Sequence, residues 1–369
     1  MFDGQTILQL LIGPTIPVPA PFEIIDAIRG VTVTNNDSGR DGFQISLAVG
    51  RDSPIDYGLL LRNYFEPPSR IVIVVMLGML PKVLIDGIIT NHQLAPSNTP
   101  GGSTLVVTGE DVSLKLDLDE KSNTYPNQAD SDIVTSIIGQ YAAYNLAPLV
   151  TPTTDRPQEN ERVTTQQGTD LAFIQELARR NGFVFYIEPT AVLVNTAHWG
   201  LQDYSAPLQS ALTIGQGPAT NVESLSFTLN ALGPATPQVT IVEPTTRIAI
   251  PIPVPSGLRP PLARNPTVSL RTTLPRNTAN LDPAQAALEA AASATATVDA
   301  VTGTGQLNTV RYGDVLRARR LIDVRGAGDS YDGRYYVKQV THQIKRGEYK
   351  QSFSMSREGR GALFPVVMP

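Results

Sequence analysis

Two helix-grade segments enclosed by long β-patterned stretches constrain this chain most, because they place an α/β unit between regions whose cores are left to sheets. In ADSDIVTSIIGQYAAYNLAP, Ile133, Ile137 and Tyr141 recur at i, i+4 and i+8, and Val134 and Ile138 widen the stripe. Asp130, Ser131 or Asp132 is placed to cap its N-terminus. In VTTQQGTDLAFIQELARRNGFVFYIEP, Thr169 caps, and Leu171, Ile174 and Ala178 share a face with Phe173 and Leu177. Arg179 and Arg180 fill the last turn, and Gly182 suits the left-handed position after it. Phe183 to Ile187 then reads as a buried strand.

The flanking regions alternate with period two. EIIDAIRGVTVTNN, GFQISLAV, RIVIVVML, KVLIDGIIT and STLVVTG follow Phe22, separated by NNDSGRDG, Pro-rich and PGG turns. This reads as a closed or nearly closed small barrel over 22–122, with a short helix or loop around Pro54 to Phe65. Residues 1–21 read as an N-terminal arm with little core of its own, 123–205 as an α/β domain, and 206–360 as a second β-barrel region. The second region is interrupted by a Pro-rich insertion at about 233–275, expected to lie as an arm on another surface or to be disordered. An Ala-rich helix at about 282–298 is expected to lie flat on a sheet or a partner, since alanine gives propensity but little burial. The fold class is therefore mainly β with an α+β insertion, and 361–369 is a C-terminal tail.

With 369 residues the chain has room for two or more cores, and 29 glycines and 30 prolines favour turns and sheets over helical bundles. The absence of cysteine excludes disulfides, thiolate nucleophiles and cysteine-bound metal centres. Asp3 stands where a signal peptide carries positive charge, and Pro14, Pro17 and Pro19 follow a short apolar stretch, so no signal peptide is expected. The longest apolar run, Ile71 to Leu80, is too short for an integral membrane segment, which needs roughly 20 residues.

Residues 1–310 carry 17 Lys and Arg against 28 Asp and Glu, whereas 311–350 carry 10 against 5. Arg317, Arg319, Arg320 and Arg334 in that basic stretch are the candidate subunit-interface residues, their guanidinium groups suited to an acidic face on a neighbouring subunit. Primary nucleic-acid binding is not expected, because the whole chain is acidic and the nearby Tyr336 and Val337 read as sheet residues.

No catalytic, cofactor-binding or metal-binding residues are assigned, and the chain is not read as an enzyme. His92, His198 and His342 have no ligand-type neighbour at metal-binding spacing and read as structural or surface residues, with His342 at the strand parity opposite to Val337. Lys115, Asp117 and Asp119 alternate with Leu114, Leu116 and Leu118 as on a half-buried strand. Asp323, Asp329 and Asp332 surround a Gly-rich hairpin turn without the spacing of a calcium loop. GQG at 215–217, GTG at 303–305 and GAG at 326–328 lack the context of a phosphate loop.

Ordered landmarks from about residue 20 to 360 resemble one family. T-D-x-x-F-I-x-E-L-A-R-R-N-G-F-x-F-Y after an S-D-I-V helix start, a "G-x-D" loop in VVTGEDVSL, a D-G-x-Y-Y-V-x-x-V-x-H strand and a final Y-x-x-x-F-x-x-x-R strand are similar to the baseplate hub proteins of contractile phage tails. These form the late control gene D family, which includes the hub part of the VgrG spikes and the hubs of contractile injection systems. The resemblance implies two tail-tube-like β-barrels and a homotrimer whose six barrels form a pseudo-sixfold ring. It implies a symmetry adapter between hexameric inner-tube protein and trimeric spike protein, touching other baseplate proteins, assembled in the cytoplasm within a virion or injection-particle baseplate. VgrG chains continue into a needle, whereas this sequence ends in GRGALFPVVMP. The spike is then expected as a separate polypeptide, with Leu363, Phe364, Val366 and Val367 as the candidate docking tail for spike or tube. A tail-borne cell-wall hydrolase, a β-rich adhesion or carbohydrate-binding protein, and a hub of a non-contractile tail are the alternatives.

Overall fold

The inward half of each alternating run defines the first core. The structure is a computed structural model that describes residues 6–50, 57–78, 80–99, 101–160, 163–242, 249–252, 259–274 and 283–363. The first region comprises β1 (Thr6–Gly13), β2 (Val18–Pro19), α1 (Phe22–Ala27), β3 (Ile28–Asn36), β4 (Gly42–Ala48), α2 (Gly58–Leu61), β5 (Arg70–Leu77), β6 (Leu80–Ala95) and β7 (Thr104–Asp111). One face of every long strand points to a shared interior, including Leu10, Val33, Ile45, Ile73, Ile85 and Val107, so the sheet wraps around it.

The expected N-terminal arm is instead a strand of the first sheet region, and the expected barrel is a curved stretch of an open sheet with no ladder joining β1 or β2 back to β3 among the described residues. From Thr6 onward β1 pairs antiparallel with β5 from Thr6↔Leu77 to Gly13↔Arg70, and Leu8, Leu10 and Ile12 enter the core. Prolines 14, 17 and 19 disguised this strand, but they lie beyond its long ladder, where no donor is required. The nearly unbroken apolar run of β5 also has a reason. Ile71, Ile73 and Val75 face the core, whereas Val72 and Val74 bury their opposite face beside Leu193 of the α/β unit.

That unit contains β8 (Glu120–Tyr125), α3 (Asp130–Gly139), β9 (Leu146–Val150), β10 (Thr164–Thr169), α4 (Asp170–Arg180), β11 (Val184–Ala191) and β12 (Val194–Gly200). The stripes of α3 and α4 meet around Trp199, whose indole N–H donates to the Ile174 carbonyl at 3.2 Å. Thr169 caps α4 as expected, accepting from the Ala172 N–H, and Gly182 has φ 68°. The α3 start differs: Ala129 occupies the cap without a side-chain bond, while Asp130 accepts from Arg180 and Asn181 and ties the two helices together. The Leu114–Leu118 alternation is likewise not a strand. Val112–Asp117 is a 3₁₀ helix capped by Asp111, because burying Val112 and Leu116 needs one turn rather than one pleated face.

The second region adds β13 (Gln209–Thr213), β14 (Val222–Leu229), β15 (Ala235–Pro237), β16 (Val239–Val242), β17 (Ala249–Ile252), β18 (Ala263–Pro266), β19 (Arg271–Thr273), α5 (Pro283–Ala296), β20 (Val301–Asn308), α6 (Thr309–Tyr312), β21 (Leu321–Arg325), β22 (Gly333–Lys345), β23 (Glu348–Arg357) and β24 (Gly359–Ala362). The described parts of the Pro-rich insertion are ordered into small ladders, including β18 with β24 and β15 with β19. The alanine helix buries Ala286, Ala290 and Ala291 against α4 and the insertion strands.

The mainly β architecture with an α/β insertion is thus present, and one ladder joins its two β regions. β22 pairs with β3 from Gln339↔Asn36 to Lys345↔Gly30, producing a single 13-stranded sheet that runs from β14 to β2. Ile344 and Tyr349 of the second region consequently sit in the first core. A register shift between Val337 and Gln339 reverses the side-chain parity of β22, so Val337 and His342 are both buried and the expected opposition between them is lost.

Gly109 shows how tightly the first core is packed. A Cβ there would stand 2.2 Å from the Ile88 carbonyl oxygen and 2.4 Å from the Phe43 ring. Gly109→Ala is expected to destabilise the chain by about 1–3 kcal/mol through overpacking. A urea midpoint unchanged from the parent would remove this account.

Candidate functional site

Two buried polar joints and one partly buried ion pair connect the three units pairwise. The first lies between the β regions. Gln351 donates to the Leu316 carbonyl at 2.8 Å and accepts from the Leu316 N–H at 3.0 Å, which leaves its amide group donating to His342 Nδ1 at 3.2 Å. His342 is thereby the Nε2–H tautomer and donates to Asn35 Oδ1 at 3.0 Å. Asn35 Nδ2 passes the chain on to Asp41 at 2.8 Å, and Asp41 also accepts from the Asn36 N–H at 2.8 Å and from Arg319 at 2.7 Å. Burial, and then the Arg317 charge, push His342 down to about 3. Burial raises Asp41 against the opposing pull of Arg319, while burial and then the adjoining Asp41 charge push Asp111 up to about 6. Asp111 is held where it is because it accepts the Asp41 N–H at 2.6 Å.

The second joint connects the first region to the α/β unit. Arg70 forks onto Asp86 at 2.8 and 2.6 Å and also donates to the Tyr144 carbonyl, and Asn195 donates to Asp86 at 2.8 Å. The third connects the α/β unit to the second region, where Arg320 donates to both Glu188 oxygens at 3.2 and 3.0 Å.

These joints hold two of the four predicted interface arginines, Arg319 and Arg320. Arg319 is only 3% exposed and belongs to the interior: besides Asp41 it lies 4.3 Å over the Tyr186 ring, and its φ of 64° is one that L side chains rarely adopt. Arg320 is engaged by Glu188 and Asp203, Arg334 by Asp323, and Arg317 donates to the Val83 carbonyl. The acidic face expected on a neighbour is, for Arg319 and Arg320, the chain's own earlier sequence. Tertiary packing brings Arg319 and Arg320 to one three-way junction and leaves Arg334 on a separate hairpin.

The other sequence candidates are also placed. Asp323 pairs with Arg334, Asp329 with Arg264, and Asp332 accepts from the Ala327 N–H at 2.7 Å, as a hairpin turn requires. Asp117 meets Arg40 and Thr169. His92 lies near the Phe65 carbonyl and His198 near that of Leu201. Among the described residues no group of three or more His, Cys, Asp or Glu is arranged to hold a metal, and no helix is long and apolar enough to cross a membrane. In the tail, Leu363 is 39% exposed, and Phe364, Val366 and Val367 lie outside the described residues.

Sequence reasoning missed Asp41, Arg70, Asp86, Asn195 and Gln351. Nothing local distinguishes a buried Asp in RDG from a solvated turn residue. A cleft of about 1080 Å³ opens between α4, α5 and the Asp37–Gly39 turn, walled by Phe183, Phe185 and Tyr204. Its wall is mixed: Lys338, Arg259 and Arg180 are paired with Asp37, Asp299 and Asp130, and Arg179, Glu176 and Glu289 line it beside the aromatic rings.

A family model described as Alg8 N-terminal domain matches residues 43–207, which run from β4 through the α/β unit and make up under half of the chain. No curated protein matches the chain. Among solved structures, the tail protein from Neisseria meningitidis MC58 is 13% identical, with 97% of this chain and 98% of that one covered at a TM-score of 0.64. The 43 kDa tail protein of prophage MuSo2 from Shewanella oneidensis is 12% identical, with 95% and 98% covered at a TM-score of 0.61. The fold is that of phage tail proteins. It extends to the E. coli c3393 protein, a type VI secretion component described as structurally similar to the T4 tail proteins gp27 and gp5. That protein is 13% identical, with 93% of this chain and 77% of that one covered at a TM-score of 0.55. At such identities the shared property is the tail-protein fold, preserved over nearly the entire chain.

Proposed function

We propose that this chain is a non-enzymatic baseplate hub, a homotrimer that joins the hexameric inner tube to a trimeric spike in a contractile tail or injection machine. The observation that carries this reading is the single 13-stranded sheet wrapping two cores in one chain of phage-tail-protein fold. Two wraps per chain give six in a trimer, which is the match a threefold-to-sixfold adapter needs. Its role is mechanical: the hub transmits load between tube and spike. Buried pairs tie the first region to each of the other two units and support it, since breaking such a pair leaves an uncompensated buried charge and therefore opposes relative movement. The two β regions and the α/β unit act as one stiff body, with 361–369 as a docking tail. Assembly takes place in the cytoplasm, and the finished hub belongs to a virion or injection-particle baseplate.

Light scattering of the purified chain is expected to give a trimer, and negative-stain images of the same fractions a ring that captures the candidate spike protein. A monomer that ignores both spike and tube proteins would overturn the reading. The tail is tested separately. Gly361 donates to the Ser330 carbonyl and β24 is paired through Ala362, so truncation after Leu363 spares the described ladder. The chain ending at Leu363 is expected to keep its melting temperature and lose at least tenfold in spike or tube affinity; full retention of both affinities would exclude the tail as a docking element.

A further inference from the structure

We infer that the two ends of the 13-stranded sheet meet head to tail between copies of this chain, the β14 end of one packing on the β1–β2–α1 end of the next. This rests on the trimer reading and assigns the surfaces that would form it. A cyclic ring closes through two different patches on each subunit, and the sheet has two different ends.

Both ends carry unusually exposed apolar side chains. At the first, Ile24 anchors α1 in the core and leaves Phe22 81% exposed beside Val18 at 61% and Ile16 at 76%. At the other, the chain leaves β14 through Leu232, and Ser269 Oγ donates to the Pro234 carbonyl at 3.1 Å, which holds Val268 and Leu270, 77% and 69% exposed, beside that exit. Arg271 reinforces the arrangement by donating to the Leu232 carbonyl at 3.2 Å.

The ends are also complementary. The β14 strand pairs only with β20 among the described residues, so no further strand covers its outer side. Pro17 and Pro19 remove backbone donors at the opposite end, which directs contact there toward side-chain packing rather than strand addition. Arg271 supplies a cation at the β14 end. Glu23 and Asp26 supply anions next to Phe22, each held only by an exposed arginine, Arg62 and Arg346. Such solvent-exposed pairs are weak and can exchange partners.

The chain has no cysteine, so engineered thiols report contacts without background. Full-length chain carrying both Phe22→Cys and Leu270→Cys is expected to give dimer and trimer bands on mild oxidation, whereas either single variant gives monomer bands alone. Dimer bands from a single variant would mean that an end meets its own copy, which overturns the head-to-tail arrangement. A trimer by light scattering with no cross-linking in the double variant would overturn this inference while leaving the hub reading intact. A monomer at every concentration would remove the trimer reading and the inference with it. Both substitutions are at exposed positions, and an unchanged circular dichroism spectrum confirms that the variants are folded.

Discussion

Arg319→Ala is expected to destabilise the folded chain by about 3–5 kcal/mol, the range for removing one partner of a buried ion pair. The side chains of Arg319 and Asp41 are only 3% and 1% exposed, so water cannot replace the lost guanidinium. Asp41 would remain with the Asn35 and Asn36 donors but no positive charge, and Tyr186 would lose the cation over its ring. Equilibrium urea unfolding measures the cost. Asp41→Asn combined with Arg319→Met, which removes both charges and keeps the volume, is expected to lose less than Arg319→Ala alone. A loss below about 1 kcal/mol for Arg319→Ala, the scale of exposed pairs, would show that the joint is solvated rather than buried.

The same seam predicts opposing pH effects. His342 is pushed down to about 3 from an ordinary value near 6.5, so the unfolded chain takes up a proton that the folded chain refuses. Its contribution to stability is complete above about pH 6.5 and falls as pH drops toward 3, at up to about 1.4 kcal/mol per pH unit. Geometry agrees with this direction: a proton on Nδ1 would face the Gln351 amide hydrogens at 3.2 Å and oblige the Tyr349 hydroxyl at 2.8 Å to turn from donor to acceptor. Asp111 acts in the other sense. With its folded value raised to about 6, its neutral form favours folding at acidic pH, and that contribution is lost as pH rises from about 4 through 6. Between about pH 4 and 6 the two slopes oppose each other. Urea midpoints measured from pH 7 to 4.5 are therefore expected to fall more steeply in Asp111→Asn than in the parent. In His342→Gln, where the raised Asp111 and Asp41 are opposed by the depressed His198 but no longer by His342, they are expected to fall less toward acid than in the parent. Parallel profiles for the three proteins would refute the assignment of either group.

Local chemistry made much of the scaffold legible. The Thr169 cap, the left-handed Gly182 and the helix stripes converging on Trp199 follow from spacing and residue type. Even the family-like motifs acquire physical reasons: Gly109 admits the Phe43 ring, Asp111 receives the Asp41 N–H, and Arg357 donates to the Gly359, Asp332 and Ser330 carbonyls while lying 4.2 Å over Tyr335. β1 was missed because its prolines follow it, and the 3₁₀ turn at Val112–Asp117 because leucines every second residue imitate a strand.

By itself the sequence determined the two helices of the α/β unit with their turns, most of the long strands and that the chain is mainly β, since each of those properties depends on neighbours within a few residues. Tertiary structure alone decided that β3 and β22 fuse two β regions into one sheet, and that Arg319 answers Asp41 rather than a partner subunit. The residues concerned are separated by about three hundred positions, and |i−j| is 278 for the Arg319–Asp41 bond. Whether a charge is solvated, paired within the chain or offered to another copy depends on what packing places opposite it, and no local pattern encodes that.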